Sequence, residues 1–345
     1  MSWLLGRQWQ HPAKLNELSG EFMITAEFQF PSSDALATVL NSIFAGHGSY
    51  GPVAISDRTP NVFESSFPSE VVTCQFDDQP TLRLLCKYGT GCAESWHRHR
   101  GGVRYEAQVY RQVLKSSKVS TAAFHGDYAD STTGRRWLII EYLDHSRRVH
   151  KIPGTTSMAL AARWIGQFHA DNDVRLRDTA RSFLNTYDAE YYLSCAHRTS
   201  QFAGDLHQQF PWLQSLCARF EEVIPLLLPP MLTVIHGEYT PHNILYREGI
   251  IYPVDWESAA LAVGEIDLAV LTDGWSAETM RECEFEYQKA RWPEGPPTIF
   301  KQRLRVAHLY TQFRWLSEEP ERTTHPEYLW RFDHLRAAGE QLGLI

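Results

Sequence analysis

His236-Gly237-Glu238-Tyr239-Thr240-Pro241-His242-Asn243-Ile244-Leu245 and, shortly after it, Val254-Asp255-Trp256-Glu257 bring carboxylates, an amide and imidazoles into one short stretch. Two kinds of chemistry need such a set. Phosphoryl transfer from ATP needs a carboxylate near the attacking hydroxyl, and an amide and a second carboxylate to hold Mg²⁺. Zinc chemistry needs imidazole and carboxylate ligands, and His236, Glu238 and His242 offer them, with His-x-Glu projecting together from a strand.

Spacing separates the two. In the kinase pattern H-R-D-x-x-x-x-N, the catalytic-loop carboxylate and the metal-binding Asn lie five positions apart. Glu238 and Asn243 have that interval, and Asp255 follows after a short hairpin, where a second metal-binding carboxylate belongs. An ATP-using site also needs a strand lysine for the α- and β-phosphates and a glutamate on the next helix to pair with it. Lys87 ends Leu84-Leu85-Cys86-Lys87, and Glu106 follows in Arg104-Tyr105-Glu106-Ala107. Taken singly, Lys87 reads as a strand-end lysine reaching water and Glu106 as a first-turn carboxylate favoured by the helix dipole. In this chain order the pair is the better reading, and the zinc alternative leaves that order unexplained.

These residues resemble the aminoglycoside phosphotransferase and choline kinase superfamily, whose signature is H-G-D-x-x-x-x-N-[IVL]-L followed by a strand ending in [IV]-D-[WF]-E. The resemblance covers residues 60 to 320 or so. It implies a bilobal protein-kinase-like α+β fold, with a small β-rich N-lobe and a larger, mostly helical C-lobe. It also implies ATP and Mg²⁺ as cofactors and phosphorylation of a hydroxyl on an amino sugar, an aminoglycoside-like antibiotic or a choline-like alcohol. Glu238, Asn243 and Asp255 are then the catalytic candidates, with Asn243 and Asp255 on the metal. Asp267, in Ile266-Asp267-Leu268-Ala269, would brace the loop through hydrogen bonds, and His236 would be part of its scaffold.

The chain departs from the family at Glu238, where aspartate is usual. Glutamate keeps the charge but adds a methylene and a rotatable bond, and a 1 Å misplacement can cost on the order of a hundredfold in rate. The alternative is therefore a catalytically silent nucleotide-binding member of the same fold. No G-x-G-x-x-G precedes Val71; Glu64-Ser65-Ser66-Phe67-Pro68-Ser69-Glu70 stands in its place, and Ser65, Ser66 and Ser69 are the phosphate-loop candidates. Glu141-Tyr142-Leu143 resembles the interlobe hinge, where backbone groups of Glu141 and Leu143 would read adenine.

Positioning these residues takes two kinds of element. Val71–Phe76 and Leu82–Tyr88 read as a hairpin around Asp77-Asp78-Gln79-Pro80, and Trp137–Tyr142 as another strand. A helix is expected over 103–114, a Ser33-capped one near 34–45, and one from Thr155-Thr156-Ser157 to His169. Further helical patterns cover about 186–196, 200–227, 276–290, 298–317 and 326–341, around a strand island at 232–235 and 250–254. The division is thus 1–145, an N-terminal extension plus nucleotide-binding lobe, and 146–345, a helical lobe with the catalytic and metal loops and the acceptor pocket.

Two clusters have ordinary explanations. His97-Arg98-His99-Arg100 reads as a solvated charge run. Glu282, Glu284, Glu286 and Asp273 can form an acidic wall, but helical positions two apart do not share a face. Composition bounds the rest. A net charge of −8 argues against nucleic acid or an anionic membrane surface as partner. No apolar run approaches the eighteen or so residues of a membrane span, the start lacks a signal-peptide pattern, and six scattered cysteines suit a reducing compartment. A soluble, cytoplasmic enzyme with a small-molecule acceptor is expected; the sequence does not define its oligomeric state.

Overall fold

The computed structural model describes residues 28–46, 51–61, 67–77, 80–89, 99–131, 133–175 and 181–345. Two compact units emerge, one of residues 1–91 and 125–144, the other of residues 92–124 and 145–345.

The first unit contains α1 (Ser33–Ala45) and five strands: β1 (Ala54–Pro60), β2 (Ser69–Gln75), β3 (Leu82–Tyr88), β4 (Phe124–Ala129) and β5 (Arg136–Glu141). They form one sheet in the order β1-β2-β3-β5-β4. The β2–β3 hairpin pairs Ser69 with Lys87, and β5 sets Leu138 opposite Lys87 on the other side. α1 buries Leu36, Val39, Leu40 and Phe44 against Val72, Cys74, Leu84, Cys86, Tyr88, Trp137 and Ile139 of the sheet. The Ser32 side chain, one residue earlier than the sequence suggests, accepts from Ala35 N and caps α1. β1 lies in what read as an extension. Its sequence, Ala-Ile-Ser-Asp-Arg-Thr-Pro, is polar and mostly exposed, so it carries no apolar alternation to announce a strand.

The second unit holds α2 (Gly102–Gln112), β6 (Arg147–Arg148), α3 (Thr156–Asp171), β7 (Asp173–Arg175), β8 (Asn185–Thr186), α4 (Ala189–Ala203), α5 (Leu206–Gln209) and α6 (Leu213–Arg219). It continues with β9 (Met231–Ile235), β10 (Ile244–Arg247), β11 (Ile250–Pro253), β12 (Ala260–Ala262), α7 (Glu265–Thr272), α8 (Ala277–Arg291), α9 (Phe300–Leu316), α10 (Pro320–Thr324) and α11 (Trp330–Gln341). Two small sheets, β11-β10-β6 and β7-β9-β12-β8, sit among these helices. β10 and β11 form a hairpin across Glu248-Gly249, both at positive φ, the conformation a two-residue hairpin turn of matching twist demands.

The long helix expected over 200–227 is broken into pieces. α4 ends at Gly204, which has positive φ, and α5 ends at Phe210, directly before Pro211. A residue preceding proline is pushed out of the helical region. α7 is buried on every side, which makes it the rigid centre against which the loop between β9 and β10 is set.

Candidate active site

That loop runs from His236 to Asn243. Gly237 has φ of 81°, and a Cβ there would collide with the Ser258 carbonyl, so only glycine fits. Asp267, fully buried on α7, accepts from His236 N at 2.7 Å through Oδ2 and from Gly237 N at 2.9 Å through Oδ1. His169 of α3 lies 3.1 Å from Oδ2 through Nε2, and its Nδ1 faces the Tyr287 hydroxyl. The His236 ring accepts from Glu238 N through Nδ1 and lies 3.0 Å from Val254 O through Nε2, linking the loop to the strand that leads to Asp255.

Asn243 donates through Nδ2 to Glu238 O at 3.2 Å, which leaves Oδ1 as its atom for a cation. Asp255 has φ of 69°, a left-handed backbone that non-glycine residues adopt at a cost and that clusters at functional sites. Carboxylate oxygens of Glu238, Asp255 and Glu257 lie within 4.8 Å of one another. These three carboxylates are an all-oxygen donor set of high negative charge, which fits a hard divalent cation such as Mg²⁺. The zinc alternative does not assemble: His236 is committed to the loop, and His242 stacks on His150 at 3.8 Å. Among the described residues, the groups able to hold a metal include neither.

Glu238 itself is buried beneath cations. Arg100 approaches its Oε1 at 2.7 Å through Nη2 and 3.2 Å through Nε; Arg314 of α9 reaches the same oxygen at 2.7 Å through Nη2. His99 Nε2 lies 3.4 Å away. Burial by itself would raise the Glu238 pKa, but the Arg100 and Arg314 guanidiniums outweigh it and hold the carboxyl well below its usual range. Burial, with Arg314 nearby, lowers the His99 pKa to about 4, so His99 is neutral. Arg322 and Glu318 pair beside this group, and Arg100 Nε lies 3.7 Å from Glu257 Oε1.

The charge run is thus not simply solvated. His99 and Arg100 close over Glu238, while His97 and Arg98 lie outside the described residues. Nothing in local spacing flagged Arg314, because an arginine in a helix reads as surface, yet its side chain is 2 % exposed. The acidic wall does not form as one surface. Asp273 is bound by Gln312 and Arg331 at 2.8 and 3.0 Å, Glu284 pairs with Lys301, and Glu286 with Arg163.

Of the remaining candidates, Lys87 is buried on β3 with Nζ 5.5 Å from the Phe67 ring centre. Glu106, buried on α2, accepts from Trp256 N at 3.1 Å, tying α2 to the residue after Asp255. Ser69 lies in β2, where its hydroxyl accepts from Asn61 Nδ2 at 3.0 Å. Glu141 ends β5 opposite Leu84, and Leu143 is buried. Ser65 and Ser66 fall outside the described residues.

A model of the phosphotransferase enzyme family matches residues 96–295, more than half of the chain and all of the loop, metal-side strand and α7. The chain belongs to that family. No curated protein matches its sequence. Solved structures show the same protein-kinase-like α+β fold at low identity. Choline kinase from Cryptosporidium parvum is 15% identical with a TM-score of 0.58, over 91% of this chain and 98% of that one. Choline kinase from Streptococcus pneumoniae is 11% identical with a TM-score of 0.55, over 90% and 100%. A spectinomycin phosphotransferase, solved with ADP and spectinomycin, is 12% identical with a TM-score of 0.54, over 90% and 95%.

Proposed function

We propose that this phosphotransferase moves the γ-phosphate of ATP to a hydroxyl of a small molecule: an amino sugar, an aminoglycoside-like antibiotic or a choline-like alcohol. The observation that carries the reading is the convergence of the Glu238 carboxylate, on a loop braced by Asp267, with the carboxylates of Asp255 and Glu257. Fold neighbours that include a choline kinase and a phosphotransferase solved with ADP and spectinomycin support the acceptor and nucleotide classes.

In this reading Asn243 and Asp255 hold Mg²⁺, which when bound neutralises charge on the transferring phosphate. Glu238 receives the hydrogen bond of the acceptor hydroxyl and fixes its direction of attack. Lys87, Glu106 and the backbone at Glu141 and Leu143 serve the nucleotide, as do the serines at 65, 66 and 69. The lobe assignments 1–145 and 146–345 and a cytoplasmic setting belong to the same proposal. Its compatible features are that no helix among the described residues is long and apolar enough to cross a membrane and that the described cysteines are buried, free thiols. The ion-pairing of Glu238 by two arginines favours a second reading, a silent nucleotide binder.

A phosphate-transfer screen over amino sugars, aminoglycosides and small alcohols, with product mass read directly, separates them. Transfer is expected from the wild type, and Asp255→Asn nearly abolishes it with the fold intact. Mg-ATP binding without turnover on any acceptor would select the silent reading. A folded Asp255→Asn protein that keeps most of the rate would remove Asp255 from the metal.

A further inference from the structure

Arg314 is an unusual residue to find inside a helical unit. Its guanidinium donates through Nη1 to Gly237 O at 2.9 Å and through Nη2 to Glu238 Oε1 at 2.7 Å, so one planar group grips two successive residues of the loop. Lysine, a point charge on a flexible stem, lacks the rigid planar fork that fixes both contacts at once. The arrangement is costly, because Arg314 Nε is buried without a hydrogen-bond partner among the described residues. An arginine kept in place at that expense is not there for stability alone.

The geometry at the carboxylate is one-sided. Every hydrogen bond that Glu238's carboxylate accepts among the described residues goes to Oε1, from Arg314 within the core and from the partly exposed Arg100 at the start of α2. An aspartate on the same backbone would draw the carboxylate back by about one C–C bond, roughly 1.5 Å. The 2.7 Å contacts would then open towards about 4 Å, beyond hydrogen-bond range.

We propose that Arg314 is a positioning residue that anchors Oε1 of Glu238 so that Oε2 is the oxygen presented to the acceptor hydroxyl, and that the longer glutamate stands here because it reaches this anchor. The proposal rests on the reading of Glu238 as the acceptor-aligning carboxylate. It makes Arg314 and the length of residue 238 a coupled pair: once the carboxylate is withdrawn, the arginine has nothing left to place. Arg100 shares the oxygen but not the backbone contact, and its part-exposed side chain makes it the weaker holder.

The test is a double-mutant cycle of Arg314→Met and Glu238→Asp on the full chain, with Arg314→Lys as the conservative variant. Mg-ATP hydrolysis, in which water replaces the unidentified acceptor, supplies kcat and KM, and a nucleotide titration supplies binding. Arg314→Met is expected to lower kcat by on the order of a hundredfold, the loss that a 1 Å misplacement brings, with KM for Mg-ATP changed less than about threefold. Arg314→Lys should recover part of the loss. In the Glu238→Asp background Arg314→Met should add less than about threefold. If Arg314→Met does not fold, the cycle is run with Arg314→Lys, and the same loss of effect in the aspartate background is required. Independent, multiplying losses, or a raised KM at unchanged kcat, overturn the positioning role while leaving the phosphotransfer reading standing. A wild-type protein that binds Mg-ATP but turns over neither water nor any acceptor overturns both.

Discussion

The loop between β9 and β10 is held from two sides by opposite means. On the α7 side, Asp267 takes two backbone N–H groups and a neutral imidazole, all within a fully buried pocket. On the other side, Glu238 meets two arginines and His99, supplied by residues 99–100 and by α9. The first arrangement is nearly rigid by construction, since its donors are main-chain groups of the loop itself. The second is a balance of full charges: Glu238, Glu257 and Glu318 lie among Arg100, Arg314 and Arg322. Attraction in such a buried group offsets a desolvation penalty of several kcal/mol per ion, so it adds little net stability but is expensive to disrupt. The difference assigns the parts. The brace fixes where the loop is, and the charged cluster fixes where one carboxylate oxygen points.

Breaking the charged side should give the largest effect. Glu238→Gln keeps the shape of the side chain but removes its charge, and the loss expected in phosphate transfer is roughly 10²–10⁴-fold, with Mg-ATP still bound. Stability should fall as well, by up to about 3–5 kcal/mol, because Arg314 is left buried beside a neutral amide. Glu238→Asp should be intermediate in rate. An aspartate variant faster than wild type would show that the glutamate is a damaged position, and equal rates for all three would take residue 238 out of the reaction.

Breaking the brace should act the other way round, on stability before rate. In Asp267→Asn one of the two oxygens that receive N–H groups becomes an NH₂ facing a donor. A loss of about 1–3 kcal/mol in unfolding free energy is expected from that single mismatched contact. Urea unfolding against transfer rate measures the split. A variant of unchanged stability whose rate collapses as far as that of Glu238→Gln would mean that the brace also aims the chemistry.

The contrast also marks what the sequence could reveal. The five-residue interval from Glu238 to Asn243 and the second carboxylate at Asp255 are local patterns, and the structure sets them on one loop and the hairpin that follows. The β2–β3 hairpin, β5, α3, α8 and α9 were likewise legible from alternation and helical spacing. What was hidden depends on contacts between distant positions. Arg314 is 76 residues from its carboxylate and Arg100 is 138 away, and neither stands in a pattern that says it is buried. His169 looked like the last turn of an amphipathic helix, where a histidine needs no explanation. Phe210-Pro211 was visible, but the helical periodicity on either side masked the break it causes.

The smallest expected effect sharpens the comparison through pH. Burial holds the His169 pKa below its ordinary value, although the Asp267 hydrogen bond and charge pull it up and Arg291 pushes it down. With the folded pKa below about 6.5, the unfolded chain binds more protons on the acid side of that value. Stability therefore rises with pH there and is lost as pH falls below about 6.5, with a slope of at most about 1.4 kcal/mol per pH unit from this one group. The physical reason is in the ring's two bonds. Neutral His169 donates from Nε2 to Asp267 and accepts at Nδ1 from the Tyr287 hydroxyl, and a second proton on Nδ1 would meet that donor. Tyr287 cannot easily turn, because Arg291 packs on its oxygen and Asp173 and Glu265 pair with Arg291. Other histidines, buried His99 and half-buried His308 among them, have lowered pKa values and contribute to the same trend, so the measurement is a difference. Unfolding free energies of wild type and His169→Gln, taken between pH 7 and pH 5, should show a shallower acid slope in the variant. Parallel slopes would mean that His169 takes up protons alike in the folded and unfolded states over this range, so that its burial beside Asp267 does not hold its pKa down.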